Sequence, residues 1–223
     1  VDEMIAFVPQ RALNTSLSNS QFGVQWLNYP ELPFSGPVQF EARSLLEQDE
    51  TKRQLVVYSV IMDSEGRVMI YQRPDKQDET RLSNRFSIGI GGHVNFGDID
   101  REPTTPDAIW ALIAAASKRE LREELQFTTD ATPQIVIAAT VSQVDRVHLG
   151  FVSISRVTDE TASQLVMARE SGTIIGWQLP RDMRSVIEGA GGELESWSKR
   201  LALALGIINV QELPYGSIIK KDG

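Results

Sequence analysis

Gly91-Gly92-His93-Val94-Asn95-Phe96-Gly97-Asp98 and, further on, Arg119-Glu120-Leu121-Arg122-Glu123-Glu124-Leu125 are the stretches from which the rest of this 223-residue chain is read. In the second, Glu120, Glu123 and Glu124 stand at i, i+3 and i+4, so on a helix they project from one turn toward one side. Three carboxylates held that close repel one another and raise each other's pKa values unless a cation or several donors sit among them. A divalent metal resolves the repulsion. All-oxygen ligation, without Cys or paired His, suits Mg²⁺ or Mn²⁺ rather than zinc. Taken alone, the triplet is more often a solvated face paired with Lys118, Arg119 and Arg122. In the first stretch a strand, Phe86 to Ile90, runs into Gly91-Gly92, where the backbone can turn sharply and expose a carbonyl, and Gly97 permits a second bend before Asp98. Such a loop on its own is usually just a turn.

Working outward, Thr105 reads as the cap of a helix with Pro106 at its first position, running to about Gln126. Trp110, Ala114, Leu121 and Leu125 recur along one side of it, the side that should face a sheet. Upstream, the apolar run Leu55 to Met62, the turn Asp63-Ser64-Glu65-Gly66 and the strand Arg67 to Tyr71 form a hairpin. Downstream come strands Ile135 to Val141 and Val147 to Val157, a short segment Ile174 to Trp177, and a helix Glu193 to Leu205 ended by Gly206. Residues 1 to 48 read as loop-rich, apart from the β-like run Met4 to Val8. Strands and helices alternate unevenly, which predicts an α/β fold with a mixed sheet and helices on its faces.

With 41% hydrophobic and 23% charged residues the chain can bury a real core. Lys plus Arg is 22 against 30 for Asp plus Glu, a net charge of −8 that disfavours nucleic-acid binding. The absence of cysteine excludes disulfides, thiolate zinc sites and cysteine nucleophiles. Apolar runs such as Ile135 to Val141 fall short of a membrane span, and Val1-Asp2-Glu3 lacks the features of a signal peptide. A cytoplasmic protein with no membrane partner is the expectation.

Together the two stretches resemble the Nudix box, G-x5-E-x7-R-E-U-x-E-E-x-G-U with U apolar. Five residues after Gly92 comes Asp98, Arg119-Glu120-Leu121-x-Glu123-Glu124 matches R-E-U-x-E-E without a gap, and Phe127 takes the final apolar place. There are three departures: Asp98 stands for Glu, Gln126 for the second Gly, and 20 residues separate the halves instead of seven, an insertion of 13. Residues Ile99 to about Ser117 are expected to extend the helix toward its N-terminus. The resemblance covers roughly residues 52 to 180 and implies a Nudix α/β/α sandwich with N- and C-terminal elaborations. One Nudix domain over 1–223 is expected, with an extension 1–51, a core 52–180 and a helical region 181–223.

The resemblance also implies that Glu120, Glu123 and Glu124 bind Mg²⁺ or Mn²⁺, with the carbonyl of Gly91 as a further ligand. Arg119 would orient Asp98 or Glu123. The implied reaction is hydrolysis of a diphosphate bond in a nucleoside diphosphate linked to another moiety. Some relatives place the base on a loop before the last strand; here Glu170 is the candidate, and a plain surface Glu is an equal alternative. Arg73 looks like the arginine that many Nudix proteins place near substrate phosphates, and Arg81 and Arg85 add donors in the following loop; all three read equally well as surface charges. His93 is either a phosphate contact or a hydrogen-bonded loop histidine, whereas His148 reads as a satisfied sheet residue. Trp110 and Trp177 have the shape to stack on a base, but Trp110 shares the packing side of the helix. The rival function is a non-catalytic nucleotide-metabolite sensor, disfavoured by the complete glutamate set. The partner is thus a small molecule of the nucleoside-diphosphate type, and a homodimer stays open because many relatives pair.

Overall fold

The computed structural model of the chain describes residues 2–14, 17, 23–74, 84–130, 132–138, 143–168, 170–189 and 193–207. Among these the strands are β1 (Met4–Pro9), β2 (Val24–Trp26), β3 (Gln39–Ala42), β4 (Lys52–Met62), β5 (Val68–Gln72), β6 (Phe86–Ser87), β7 (Gly89–Ile90), β8 (Pro133–Ile137), β9 (His148–Arg156) and β10 (Thr173–Gln178). The α-helices are α1 (Arg43–Leu46), α2 (Pro106–Leu125), α3 (Gln143–Val147), α4 (Asp159–Gln164), α5 (Met183–Gly189) and α6 (Ser196–Ile207). The chain divides into two compact units, each drawn from three stretches of sequence.

The first unit comprises Val1–Tyr58, Gly91–Glu120 and Thr132–Ser153. In it β2, β8, β9 and β4 are successive neighbours. β1 lies antiparallel to β4, with Phe7 opposite Gln54, and also to β3, with Ala6 opposite Phe40. The first 48 residues, expected to be loop-rich, therefore supply three strands. Their pattern was masked by shortness in β2 and β3, while Ile5 to Val8 form an unbroken apolar run that is buried throughout, as in a strand covered on both faces. Ala6, Val8, Leu55, Val57, Val136 and Phe151 form the core with Ile109, Trp110, Leu112, Ile113 and Ala116 of α2. The buried stripe of α2 is wider than the spacing suggested, and Ala114 is only half-buried.

The start of α2 falls where Thr105 and Pro106 place it: Ala108 N donates to Thr105 Oγ1 at 3.2 Å. The insertion thus extends the helix only from Pro106 onward. Before it, residues 96–98 form a single 3₁₀ turn. Trp110 belongs to the core, with Nε1 donating to Pro30 O at 2.8 Å and its ring edge-on to Phe151.

The second unit comprises Ser59–Ile90, Leu121–Ala131 and Ile154–Gly223. β4 and β5 are joined by the expected turn, in which Asp63 Oδ1 accepts from Glu65 N and Arg67 N while Oδ2 takes Arg67 Nε at 2.6 Å. β10 pairs antiparallel with β5, β6 with β5, and β7 with β4. A parallel bridge between Phe86 and Leu194 makes the pairing mixed, so the expected α/β class holds. The segment 86–90 is two short strands because Ile88 N leaves the ladder for Ser198 Oγ at 3.1 Å. Ile61, Met69, Tyr71, Ile90, Leu121, Leu125, Phe127 and Met167 form this core. α6 runs through Gly206 to Ile207 rather than stopping before it. No helix among the described residues is long and apolar enough to cross a membrane.

Candidate active site

Gly91 and Gly92 continue from β7 into an antiparallel run beside β4, with Val57 N donating to Gly92 O and Val94 N to Leu55 O, both at 2.9 Å. Two close approaches explain the glycines. A Cβ on Gly91 would stand 1.8 Å from Val57 O, and one on Gly92 would stand 2.4 Å from Glu120 Oε1. The first protects the strand contact; the second leaves room for a carboxylate directly against the backbone.

Glu120 is buried at 8% exposure, and its environment is set by Arg119. The Arg119 guanidinium donates from Nε to Asp98 Oδ1 at 2.6 Å, from Nη2 to Asp98 Oδ2 at 3.2 Å and to His93 O at 2.8 Å, and from Nη1 to Glu120 Oε1 at 2.6 Å. Asp98 is itself placed by the 3₁₀ turn, where its Oδ2 accepts from Asn95 N at 2.7 Å. Burial works to lower the Arg119 pKa, but the bond to Asp98 and the charges of Glu120 and Asp98 more than offset it, so the guanidinium is held firmly charged. Asp98, one of the two expected partners, is gripped by Arg119, and Glu120 is a further carboxylate on the same guanidinium. Despite being one carbon shorter than the family's Glu, Asp98 receives a two-point clasp.

Glu123 is exposed and Glu124 half-buried on the following turn of α2. As the side chains stand, no three carboxylates or imidazoles among the described residues converge closely enough to enclose an ion. The donor chemistry nevertheless fits a hard divalent cation: the carboxylate cradled against Gly92 is one that a single methyl group would displace, and the other donors on this turn are carboxylate oxygens.

Glu170 is exposed. Its segment is tied to α2, since Ala168 N donates to Glu124 O at 2.7 Å and Ser171 N to Ala168 O at 2.9 Å. Arg73 Nε donates to Glu195 Oε2 at 3.2 Å, and Arg85 pairs with Glu193 at 3.2 Å. Glu195 is buried, and its Oε1 also accepts from Ser87 Oγ at 2.7 Å and Ser198 Oγ at 3.2 Å. These two acids were missed in the sequence; the only local signal is Glu193-Leu194-Glu195 just ahead of α6. Arg81 lies outside the described residues.

His93 turns its ring onto the sheet, with Nε2 at 2.9 Å from Gln54 Oε1 and 3.3 Å from His148 Nε2. Burial first, then the neighbouring His148, Arg43 and Arg119, push its pKa down to about 3, so the ring is neutral at pH 7. This arrangement is the hydrogen-bonded histidine of the two readings, and a neutral ring brings no charge to a phosphate.

No protein-family model matches the chain. It is 28% identical over 158 residues to Protein YmaB of Bacillus subtilis (strain 168), a match covering 69% of this chain and 71% of that protein. It superimposes on the crystal structure of Tm1382, provisionally described as a Nudix hydrolase, with a TM-score of 0.61 and 26% identity over 92% of this chain and 100% of that one. The chain has the fold of the Nudix hydrolases. In this fold Arg119-Glu120-Leu121-x-Glu123-Glu124 lies in the last turns of α2.

Proposed function

We propose that this chain hydrolyses a diphosphate bond in a small nucleoside diphosphate linked to another moiety, with Mg²⁺ or Mn²⁺ held by Glu120, Glu123, Glu124 and the carbonyl of Gly91. The observation that carries this reading is the Arg119 clasp, which fixes a buried Glu120 carboxylate against Gly92. A buried carboxylate is costly unless it is paired, and Arg119 supplies that pairing for Glu120. When bound, the cation polarises the diphosphate and lowers the pKa of an attacking water.

The chain's own part is positional. Asp98 holds Arg119, Arg119 orients Glu120, and Glu123 and Glu124 lie within one helical turn, so that convergence requires rotamer changes and no backbone shift. Glu170, on the segment anchored at Glu124 O, is suited to accept the proton of the attacking water, since an exposed carboxylate there can move without breaking a structural contact. Arg73 and Arg85, held by Glu195 and Glu193, would supply donors to the substrate phosphates.

The test is a panel of nucleoside triphosphates, nucleotide sugars, ADP-ribose and dinucleoside polyphosphates with Mg²⁺, run on the wild type, Glu123→Gln and Glu124→Gln. At least one substrate should turn over, with kcat falling by about a hundredfold or more in either variant and lost on chelation. Turnover indifferent to both substitutions overturns the mechanism, and no turnover of any compound by the wild type favours a metabolite sensor.

A further inference from the structure

The stretch just ahead of α6 is built into the sheet beside β6. Phe86 N donates to Glu193 O at 3.0 Å and Glu195 N to Phe86 O at 2.9 Å, so residues 193–195 run parallel to β6, while on the other side of the same segment Arg73 N donates to Arg85 O at 2.9 Å. Alternate residues of an extended segment share a face, and Glu193 and Glu195 reach Arg85 and Arg73 respectively. Glu195 is buried, and its Oε1 accepts from Ser87 Oγ at 2.7 Å and from Ser198 Oγ at 3.2 Å. Ser198, on α6, is fixed in turn by Ile88 N at 3.1 Å. The Arg73 side chain keeps 23% exposure, and its guanidinium carbon lies 5.9 Å from the centre of the Tyr71 ring. The segment that follows Glu170 closes on the same strand end, since Thr173 stands opposite Gln72 and a Cβ on Gly172 would lie 2.4 Å from Gln72 O. Burial raises the pKa of the Tyr71 hydroxyl, and the charges of Arg73, Glu195 and Glu124 act on it besides, so the pair shares a neighbourhood with the acidic turn of α2.

We propose that Glu195 is a positioning residue for substrate binding, which holds the Arg73 guanidinium ready for a phosphate of the diphosphate group, and that the segment ahead of α6 thereby belongs to the binding machinery rather than to an outer elaboration of the fold. The proposal rests on the hydrolase reading above and deepens it. An arginine that rotates freely loses that freedom when it grips a phosphate, and fixing the side chain beforehand removes the penalty. Two groups fix Arg73: the Tyr71 ring against its guanidinium and the Glu195 carboxylate at Nε. The carboxylate is held in its own turn, because one hydroxyl from β6 and one from α6 occupy Oε1. A buried ion pair adds little net stability, since desolvation offsets the attraction, and what Glu195 supplies is direction. Glutamine at this position keeps the volume but loses the charge, and with one oxygen and one amide nitrogen it cannot accept at both ends as the carboxylate does.

The experiment titrates the full chain with the Mg²⁺ complex of imidodiphosphate, a diphosphate with a nitrogen bridge, in the wild type, Arg73→Ala, Glu195→Gln and the double variant. Kd should rise about tenfold in Arg73→Ala and about threefold or more in Glu195→Gln, and the double variant should bind no more weakly than Arg73→Ala alone, because Glu195 acts only through that arginine. A second measurement needs no change at residue 195: in nitrogen-15 spectra of the wild type the Arg73 Nε–H, assigned by its loss in Arg73→Ala, should exchange slowly with water and stay protected when imidodiphosphate binds. The proposal is overturned if Glu195→Gln binds as the wild type does, if it weakens binding as much in the Arg73→Ala background as in the wild type, or if the Arg73 Nε–H exchanges freely. It is overturned as well if the wild type binds no imidodiphosphate or if Arg73→Ala leaves the affinity unchanged. These results leave the hydrolase reading standing, because that reading is decided separately by turnover in Glu123→Gln and Glu124→Gln.

Discussion

Arg119 clasps Asp98 with two hydrogen bonds across 21 positions of the chain, Nε to Oδ1 at 2.6 Å and Nη2 to Oδ2 at 3.2 Å, and Asp98 is almost wholly enclosed. A carboxylate enclosed with its cation stabilises the fold mainly through the penalty of separating them. Asp98→Ala takes from a half-buried guanidinium the carboxylate that grips it at two points, so urea denaturation should show a loss of about 3 kcal/mol. Hydrolysis should fall as well, since Glu120 would lose its fixed neighbour.

Gly91 and Gly92 should respond differently to the same methyl group. In Gly91→Ala the new Cβ meets a backbone oxygen, Val57 O, at 1.8 Å, and β4 cannot retreat; a destabilisation of about 3 kcal/mol or failure to fold is expected. In Gly92→Ala the obstacle is the end of a side chain, Glu120 Oε1 at 2.4 Å, which can swing aside. Melting temperature should change little while Mg²⁺-dependent turnover is lost, and equal effects in both measurements would argue against a cradled carboxylate.

Gln126 occupies the position after α2 where the family pattern has glycine, and its φ is 52°. The left-handed conformation costs a residue with a Cβ about 1–2 kcal/mol, part of which glycine returns as unfolded-chain entropy. Gln126→Gly should therefore stabilise the chain by about 0.5–1 kcal/mol in thermal or urea unfolding, with turnover unchanged.

His93 makes stability depend on pH on the acid side. Its pKa is pushed from 6.5 down to about 3, first by burial, so between these values the unfolded chain takes up a proton that the folded chain refuses. Stability should be lost as pH falls below about 6.5, with this residue adding up to about 1.4 kcal/mol per pH unit, and the residue should contribute no slope above it. His93→Gln, measured with chelator present, should flatten that limb; an unchanged slope would mean that the ring titrates normally.

Much of the site was legible locally. The Thr105-Pro106 start, the end near Gln126 and the i, i+3, i+4 spacing of Glu120, Glu123 and Glu124 depend on helix geometry alone, and the turn Asp63 to Gly66 on side-chain bonds within five residues. The N-terminal strands were less legible. β2 and β3 are three and four residues long and acquire their partners from β8 and β1, so no periodicity within them announces a strand. Arg73 and Arg85 read as phosphate donors or surface charges because their partners Glu195 and Glu193 lie more than 100 positions away, and the acids near them in sequence, Asp75, Asp78 and Glu79, do not point to those partners.

By itself the chain's order of residues determined the class of fold, the helix that carries the acidic turn and the chemistry that those oxygen donors suit, because each rests on spacing within a few residues, where backbone geometry leaves little choice. Only the tertiary structure decided which carboxylates Arg119 grips, that Gly92 makes room for Glu120, and that the two histidines meet at Gln54. The Arg119–Asp98, Gly92–Glu120, Gln54–His93 and His93–His148 contacts join segments from 21 to 55 positions apart, and no local preference specifies a pairing that is settled by which surfaces can be buried together.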